Sequence, residues 1–457
     1  MMVMKKLITL LLTAGLISVV SSPVSAADLK VDGTYEFGFT SQSAGFAGGN
    51  QQHAGQRVRL GLSFVESENL SGYFQAQIGI DEWGVHNNID ANGDKHGNGI
   101  SARQAYIDWI IPQTDISVRM GRSIFGLPAD AIGGKNAVMA AWVPQDGIVI
   151  NAPIADWLSI NAFWARLDTP YTSTGAAENT DVVTGQRSDA FAFAADMKFD
   201  GLAVSPYLMY ATIDKGTTHA TEGYTDDGDA GMDLANANAY WLGVSTTLSY
   251  FDPFTFRLSG AYGVKSYEGN NSNAGIDLGD RKGWYIQGQA SYNTAYGTPI
   301  LGAWYASGDD ADDYGRQGWI PTLGGRFLPS NSFTDGGASL FNGVANSFIG
   351  GTWGVQLGWT NISFLEDLSH DIKVTMFQGT NNSANDYVSD HAPQEYMTTS
   401  DRAYEFDFNT TYHIYKNLST VLELSYIIND FDNNVNQFRR AYSEDDWNAS
   451  LYFCYKF

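Results

Sequence analysis

One cysteine, Cys454, stands in 457 residues, so no internal disulfide can brace the fold. Charge is also sparse, at 17% of residues, and lopsided: 26 Lys and Arg against 50 Asp and Glu leave a formal −24. A balance of that sign excludes nucleic acid and anionic membrane surfaces as partners. Proline numbers only 12, and beyond residue 27 no Pro- or Ser-rich linker divides the chain, so a single domain is expected. Long apolar runs are missing too: after Ala26 nothing approaches the roughly 18 uninterrupted apolar residues of a spanning helix. The seven histidines include no spaced metal-binding set, no Gly-x-Ser-x-Gly elbow occurs, and Cys454 has no histidine near it in sequence. Neither an enzyme, a cofactor nor a metal centre is expected.

What the chain does have is glycine and aromatic residues: 49 Gly, 25 Tyr, 25 Phe and 12 Trp, a supply of turn formers and interfacial rings. The last residues arrange them. Trp447, Ala449, Leu451, Phe453, Tyr455 and Phe457 alternate with Asn448, Ser450, Tyr452, Cys454 and Lys456. Strand side chains point to opposite faces at successive residues, so one face is aromatic or aliphatic and the other smaller and wetter. A strand with lipid outside and water inside needs that pattern. At the other end, Lys5 and Lys6 precede an apolar run from Leu7 to Val20 and a small-residue cleavage pattern at Val24, Ser25 and Ala26. Residues 1–26 read as a signal peptide and 27–457 as the mature barrel; losing Lys5 and Lys6 takes the charge from −24 to −26.

The acids gather in polar stretches, such as Asp226, Asp227, Asp229 and Asp233, or Asp309, Asp310, Asp312 and Asp313. They read as solvated loops, with a calcium role in binding lipopolysaccharide as the alternative. Asp90, Asn92 and Asp94 begin like a calcium loop, but Lys95 stands where that loop needs glycine.

Period-two alternation marks strand after strand. Val58, Leu60, Leu62 and Phe64 oppose Arg57, Arg59 and Ser63, and Phe254, Phe256, Leu258, Tyr262 and Val264 oppose Thr255, Arg257, Ser259 and Lys265. Near the end, Tyr404, Phe406, Phe408 and Tyr412 oppose Glu405, Asp407, Asn409 and Thr411. The count is eighteen strands, with sixteen left open because segments 146–151 and 351–360 are weak. Connections alternate between short ones (66–70, 111–114, 200–201, 251–253, 293–298, 413–418) and long ones (41–54, 82–99, 122–145, 167–188, 214–236, 267–280, 308–350, 380–401, 431–445). An all-β, transmembrane antiparallel β-barrel with short periplasmic turns and long external loops is therefore expected, its polar inner faces enclosing a water-filled lumen.

The chain resembles the general diffusion porins of bacterial outer membranes, and most closely the homotrimeric porins of sulfate-reducing bacteria. Arg59-Leu60-Gly61-Leu62-Ser63-Phe64 leading to Glu66, Arg103-Gln104-Ala105-Tyr106-Ile107, and Met120-Gly121-Arg122 carry the resemblance, over about residues 28–168. It implies a third external loop folded inward to narrow the pore. It also implies Arg59 and Arg103 on the basic side of the constriction, with Arg57, Arg119 and Arg122 as neighbours. Arg57 and Arg59 share the inner face on strand pattern alone. The opposite side departs from the family: residues 123–145 offer only Asp130, opposed by Lys135. If Arg103 faces the lumen, strict alternation turns Gln104 and Asp108 outward, where a mid-bilayer charge costs roughly 2–4 kcal/mol. A subunit interface covering them, latched by loop 82–99, is expected.

The resulting expectation is an outer-membrane porin for passive diffusion of ions and small hydrophilic solutes. A homotrimer in contact with lipid and lipopolysaccharide is implied, with Phe453, Tyr455 and Phe457 as the signal read by the barrel-assembly machinery. A substrate-specific channel, for which Tyr73, Tyr285 and loop 308–350 with Arg316 and Arg326 leave room, and a plugged surface receptor or adhesin are the alternatives. A barrel Ser/His pair of the outer-membrane phospholipase kind is the catalytic reading that sequence leaves open.

Overall fold

The computed structural model describes residues 28–43, 50–83, 100–141, 144–168, 188–214, 236–268, 272–273, 276–277, 280–313, 316–338, 340–341, 348–386, 388, 391–432 and 444–457. The expected signal peptide, the acids between Asp226 and Asp233, and loop 84–99 lie outside these residues.

The strands run β1 (Asp28–Ser43), β2 (Asn50–Ser67), β3 (Leu70–Glu82), β4 (Ile100–Ile110), β5 (Ser117–Ser123), β6 (Gln145–Ala155) and β7 (Leu158–Asp168). Next come β8 (Ser188–Phe199), β9 (Leu202–Ile213), β10 (Ala237–Leu248) and β11 (Phe254–Tyr267). A two-residue hairpin, β12 (Ser272–Asn273) with β13 (Ile276–Asp277), sits apart from the main sheet. The series continues with β14 (Arg281–Tyr292), β15 (Thr298–Ala306), β16 (Thr352–Leu365), β17 (Leu368–Gly379), β18 (Arg402–Tyr415), β19 (Leu418–Asp430) and β20 (Asp446–Lys456).

Eighteen of these strands form one antiparallel sheet, each paired with its sequence neighbour. β1 also pairs with β20, with Tyr35 opposite Tyr455 and Phe39 opposite Leu451, which closes the sheet on itself. Closure leaves no free edge, so every strand can satisfy its backbone N–H and C=O groups from its neighbours. The segments counted as weak, 146–151 and 351–360, are both strands. Turns of a few residues, such as Glu68–Asn69, Asp200–Gly201 and Lys416–Asn417, define one rim; Asp156–Trp157 and Glu366–Asp367 add turns to those expected from sequence. The long loops define the other rim.

Outward faces are apolar and exposed, as at Leu208, Leu242, Leu258, Leu301 and Leu357. Rings gather near both rims. Phe64, Trp109, Phe199, Phe254, Tyr292 and Tyr415 lie near the turns, and Phe191, Tyr210, Tyr240, Trp284, Tyr305 and Tyr426 near the long loops. These are the two aromatic girdles of a spanning barrel.

The interior departs from the uniformly polar lumen expected from sequence. Inward Ala190, Ala192, Ala194, Tyr207, Met209, Ala211, Ala237, Ala239, Trp241, Tyr285 and Trp304 are buried and form one apolar cluster with residues of four long loops, chiefly those after β5 and β15. These two, with 7 and 9 residues, are the shortest strands of the barrel.

Candidate pore constriction

The third long loop folds inward as a finger over its described residues 124–141. Its two arms are tied by Leu127 N–H to Met139 O (3.4 Å) and Asp130 N–H to Lys135 O (3.0 Å). Asn136 stiffens it, donating to Pro128 O and accepting from Val138 and Met139 N–H. Gly133 and Gly134, at φ 75° and 65°, make the tip, where a side chain would be strained. The tip crosses the lumen to the far wall. Ser245 donates to Ala129 O at 2.6 Å, Ala131 N–H to Ser259 at 2.9 Å, and Ile132 N–H to Gln287 at 2.8 Å. Phe125, Leu127, Ile132, Val138 and Met139 are buried beneath it, each contributing about 1.5–3 kcal/mol to docking.

The seventh long loop enters as well through its described residues 316–338, which the sequence did not decide. Leu323 N–H donates to Val138 O (2.8 Å) and Arg326 N–H to Asn136 O (3.0 Å), joining this loop to the finger. Its residues 329–338, with 340–341, then form a strap along the inner wall of β16 to β20. Ser332 and Phe333 N–H donate to the two Glu405 oxygens at 2.7 and 2.9 Å, and Asn331 N–H to Asp407 at 3.3 Å. Ala338 N–H donates to Glu423. Leu340 packs with Tyr452 and Cys454, and Phe341 stacks on His53 at 5.6 Å. His53, expected in a loop, is on β2.

Finger and strap pack against inner faces of strands from β6 round to β1, while inner side chains of β2 to β5, Arg57, Arg59, Tyr73, Gln75, Gln77 and Arg103 among them, are only half-buried. Arg57, Arg59 and Arg103 come together there, close enough to repel one another. Arg57 is paired with the buried Glu36, which also accepts from Tyr452 OH at 2.7 Å. Arg59 donates to Gln77 at 2.8 Å and has no ion pair among the described residues. Arg103 donates to Gln75 at 3.0 Å. Towards the turn rim, Tyr73 donates to Asp32 at 3.4 Å and lies 5.3 Å from Tyr106. Arg119 sits 4.0 Å over the Tyr106 ring and grips Asp108 with two bonds, 2.7 and 2.9 Å. The side chain that would crowd this group is missing at Gly61, whose Cβ would meet Tyr73 and Asp32.

Three expected placements are corrected. Gln104 and Asp108 face inward: the register slips between Gln75 and Ala76 opposite Arg103, a bulge that breaks strict alternation. Gln104 consequently donates to Gln75 at 3.1 Å, and the case for a subunit interface over these two residues falls. Arg122 points outward near the long-loop rim, paired with Asp146 at 3.1 Å on the same face as Met120 and Ile148. Asp130 does not join these half-buried side chains. It is buried beneath the finger, its Oδ2 accepting from Ala137 N–H and Tyr285 OH at 2.8 Å each; burial pushes its carboxyl up to about 6. Lys135 is at the finger's partly exposed edge, with no ion pair among the described residues.

A strip of half-buried polar and basic side chains on β2 to β5, beside loops folded inward through a closed 18-stranded barrel, is the decisive observation. The whole barrel is similar to solved bacterial Occ proteins. OccK9 (OpdG) of Pseudomonas aeruginosa aligns at TM-score 0.58 and 14% identity, over 94% of this chain and 98% of that one. OccAB1 of Acinetobacter baumannii aligns at 0.56 and 14%, over 95% and 100%. P. aeruginosa OpdK, solved with vanillate, aligns at 0.55 and 12%, over 94% and 98%. At such identity the likeness is one of fold. No protein-family model matches the chain, and no curated protein does.

Sequence reasoning missed the covered half of the lumen. Its signal was the alanine stripe Ala190, Ala192, Ala194 alternating with Phe191 and Phe193: small inward residues leave room for a loop.

Proposed function

We propose that this chain is an outer-membrane porin, passing ions and small hydrophilic solutes by passive diffusion, with a constriction that favours anions. The half-buried cluster of Arg57, Arg59 and Arg103 beside the inward finger carries the reading. Glu36 offsets one of these three neighbouring arginines, and the finger's tip carries Gly133, Gly134 and Lys135 rather than acids. Guanidinium groups on a narrow wet wall raise the local anion concentration. The test is conductance of the purified protein in a planar bilayer, with the reversal potential read in a salt gradient. A conducting channel of anion preference supports the reading; a silent barrel points instead to a plugged receptor or adhesin.

A substrate-specific channel is the second reading, favoured by two inward loops instead of one and by the Tyr73–Tyr106 pair beside Arg119. Conductance saturating with one solute selects it. Homotrimeric assembly in contact with lipopolysaccharide, and membership among the porins of sulfate-reducing bacteria, belong to the same proposal. They are supported by the order of the three motifs between Arg59 and Arg122. Light scattering in detergent decides the assembly: a monomeric complex removes the trimer.

A further inference from the structure

The inner faces of β6 to β9 change character at one step along the wall. Val149, Phe163, Ala194 and Tyr207 pack with the apolar cluster around the finger: Phe163 lies 5.1 Å from Phe125, and the Tyr207 hydroxyl accepts from Asn136 at 3.4 Å. Two residues nearer the turn rim, the same faces carry Asn151, Asn161, Asp196 and Ser205. These polar side chains take no part in docking the finger and are joined to one another. The Asn151 amide donates to Ser159 at 3.0 Å and to Asn161 at 2.6 Å. Asn161 donates in turn to Asp196, whose other oxygen accepts from Ser205 at 2.5 Å.

This row fixes both its own geometry and what it leaves over. Among the described residues the Asn151 side-chain carbonyl accepts no hydrogen bond and the Ser159 hydroxyl donates none, while each Asp196 oxygen keeps a lone pair. Asn151, Ser159 and Asp196 line a cavity of about 520 Å³ at the turn rim, together with the apolar Pro153, Ile154 and Leu158. That volume lies within the range of small-molecule sites. Donors and acceptors set close together beside an apolar patch match a sugar, whose hydroxyls both donate and accept and whose ring C–H groups are apolar. Charge selects the same class. A solute arriving from the long-loop side has passed Arg57, Arg59 and Arg103, which disfavour cations. At the cavity it meets the carboxylates of Asp115, Asp156 and Asp196 against the one ammonium of Lys198, a lining that repels anions. A neutral, hydroxyl-rich solute is opposed at neither place.

We propose that the turn-rim cavity is a subsite for a neutral sugar or polyol, hydrogen-bonded by Asn151, Ser159 and Asp196. The choice of solute rests on the porin reading, because it follows from the order in which arginines and carboxylates are met.

The test is the ion current of the purified protein in a planar bilayer, titrated with sucrose and, separately, with a polyethylene glycol of the same hydrodynamic size, which is poor in hydroxyl groups. Expected is a saturable, reversible reduction of the current by sucrose at concentrations where the glycol has little effect. Asp196→Ala and Asn151→Ala should each raise the half-blocking concentration roughly tenfold. Equal reduction by both solutes is exclusion of volume alone and overturns the subsite, as does a current that sucrose leaves unchanged or a block that both variants preserve. A stronger block by ethanolamine, a cation at neutral pH, overturns the choice of a neutral solute. Absence of any current would instead fail the porin reading, and the cavity is then read by a thiol, which needs neither variant. Ala155→Cys, at the cavity wall, in the Cys454→Ala background and in detergent, should react with a maleimide more slowly in sucrose than in the glycol. Equal rates overturn the subsite.

Discussion

Phe457 and Gly33 exchange two backbone hydrogen bonds, of 3.1 and 3.0 Å, and the Phe457 ring lies where a Gly33 side chain would project. The first and last strands are thus locked by an aromatic seated over a glycine. A Cβ at Gly33 would stand 2.6 Å from the ring and 2.5 Å from the Arg59 carbonyl oxygen. Phe457→Ala removes packing worth about 1–2 kcal/mol and should lower the folded fraction on heat-modifiable gels. Gly33→Val should lower it further. Combining the two should not restore it, because the backbone clash remains.

Neutralising the open wall changes selectivity and leaves the fold alone. Arg59→Gln and Arg103→Gln should each lower the anion-to-cation permeability ratio by about twofold, read from the reversal potential in a salt gradient. The shift should shrink at high salt, where the field is screened.

Glu36 works in the opposite sense. Glu36→Gln leaves Arg57 without its partner, so anion preference should rise. Losing one partner of a buried pair costs about 3–5 kcal/mol, and partial exposure of Arg57 places this case at the lower end. Reversal potential and a denaturant unfolding curve together check both effects.

Asp130 ties the finger's docking to pH. Burial holds its carboxyl at about 6, above the ordinary value of 3.8, so ionisation penalises the docked finger as pH rises through this window. The penalty is absent below about pH 4 and reaches at most about 3 kcal/mol above pH 6. Asp130→Asn should be the more stable protein at pH 7.5 and lose that advantage as pH falls towards 4. Denaturant unfolding of both proteins across the window measures it; a constant difference would contradict the assignment.

Strand count, closure and the short–long alternation of connections were legible because lipid forces a period of two on every outward face. Leu422, Leu424, Tyr426 and Ile428 leave no other register. Arg57 and Arg59 were legible for the same reason. Arg103, Gln104 and Asp108 were not, because one inserted residue at a bulge resets the parity of everything after it and no sequence signal marks the slip. Asp130 misled by type: an acid in a pore loop suggests the pore, whereas here hydrogen bonds from Ala137 and Tyr285 bury it. The strap was illegible because its partners, Glu405 and Glu423, look like ordinary lumenal acids until the chain laid across them is known.

The brevity of β5 and β15 makes wall height an instrument of pore design. Each loop departs inward from the level at which its strand ends, so the number of residue pairs below it fixes how deep the narrowing lies. Two residues added to β5 and to its partner β6 would lift the finger by about 5 Å at a 40° tilt, out of line with Arg59. Narrowing and charge would then act at different depths along the solute's path, and a change of length alone would alter selectivity.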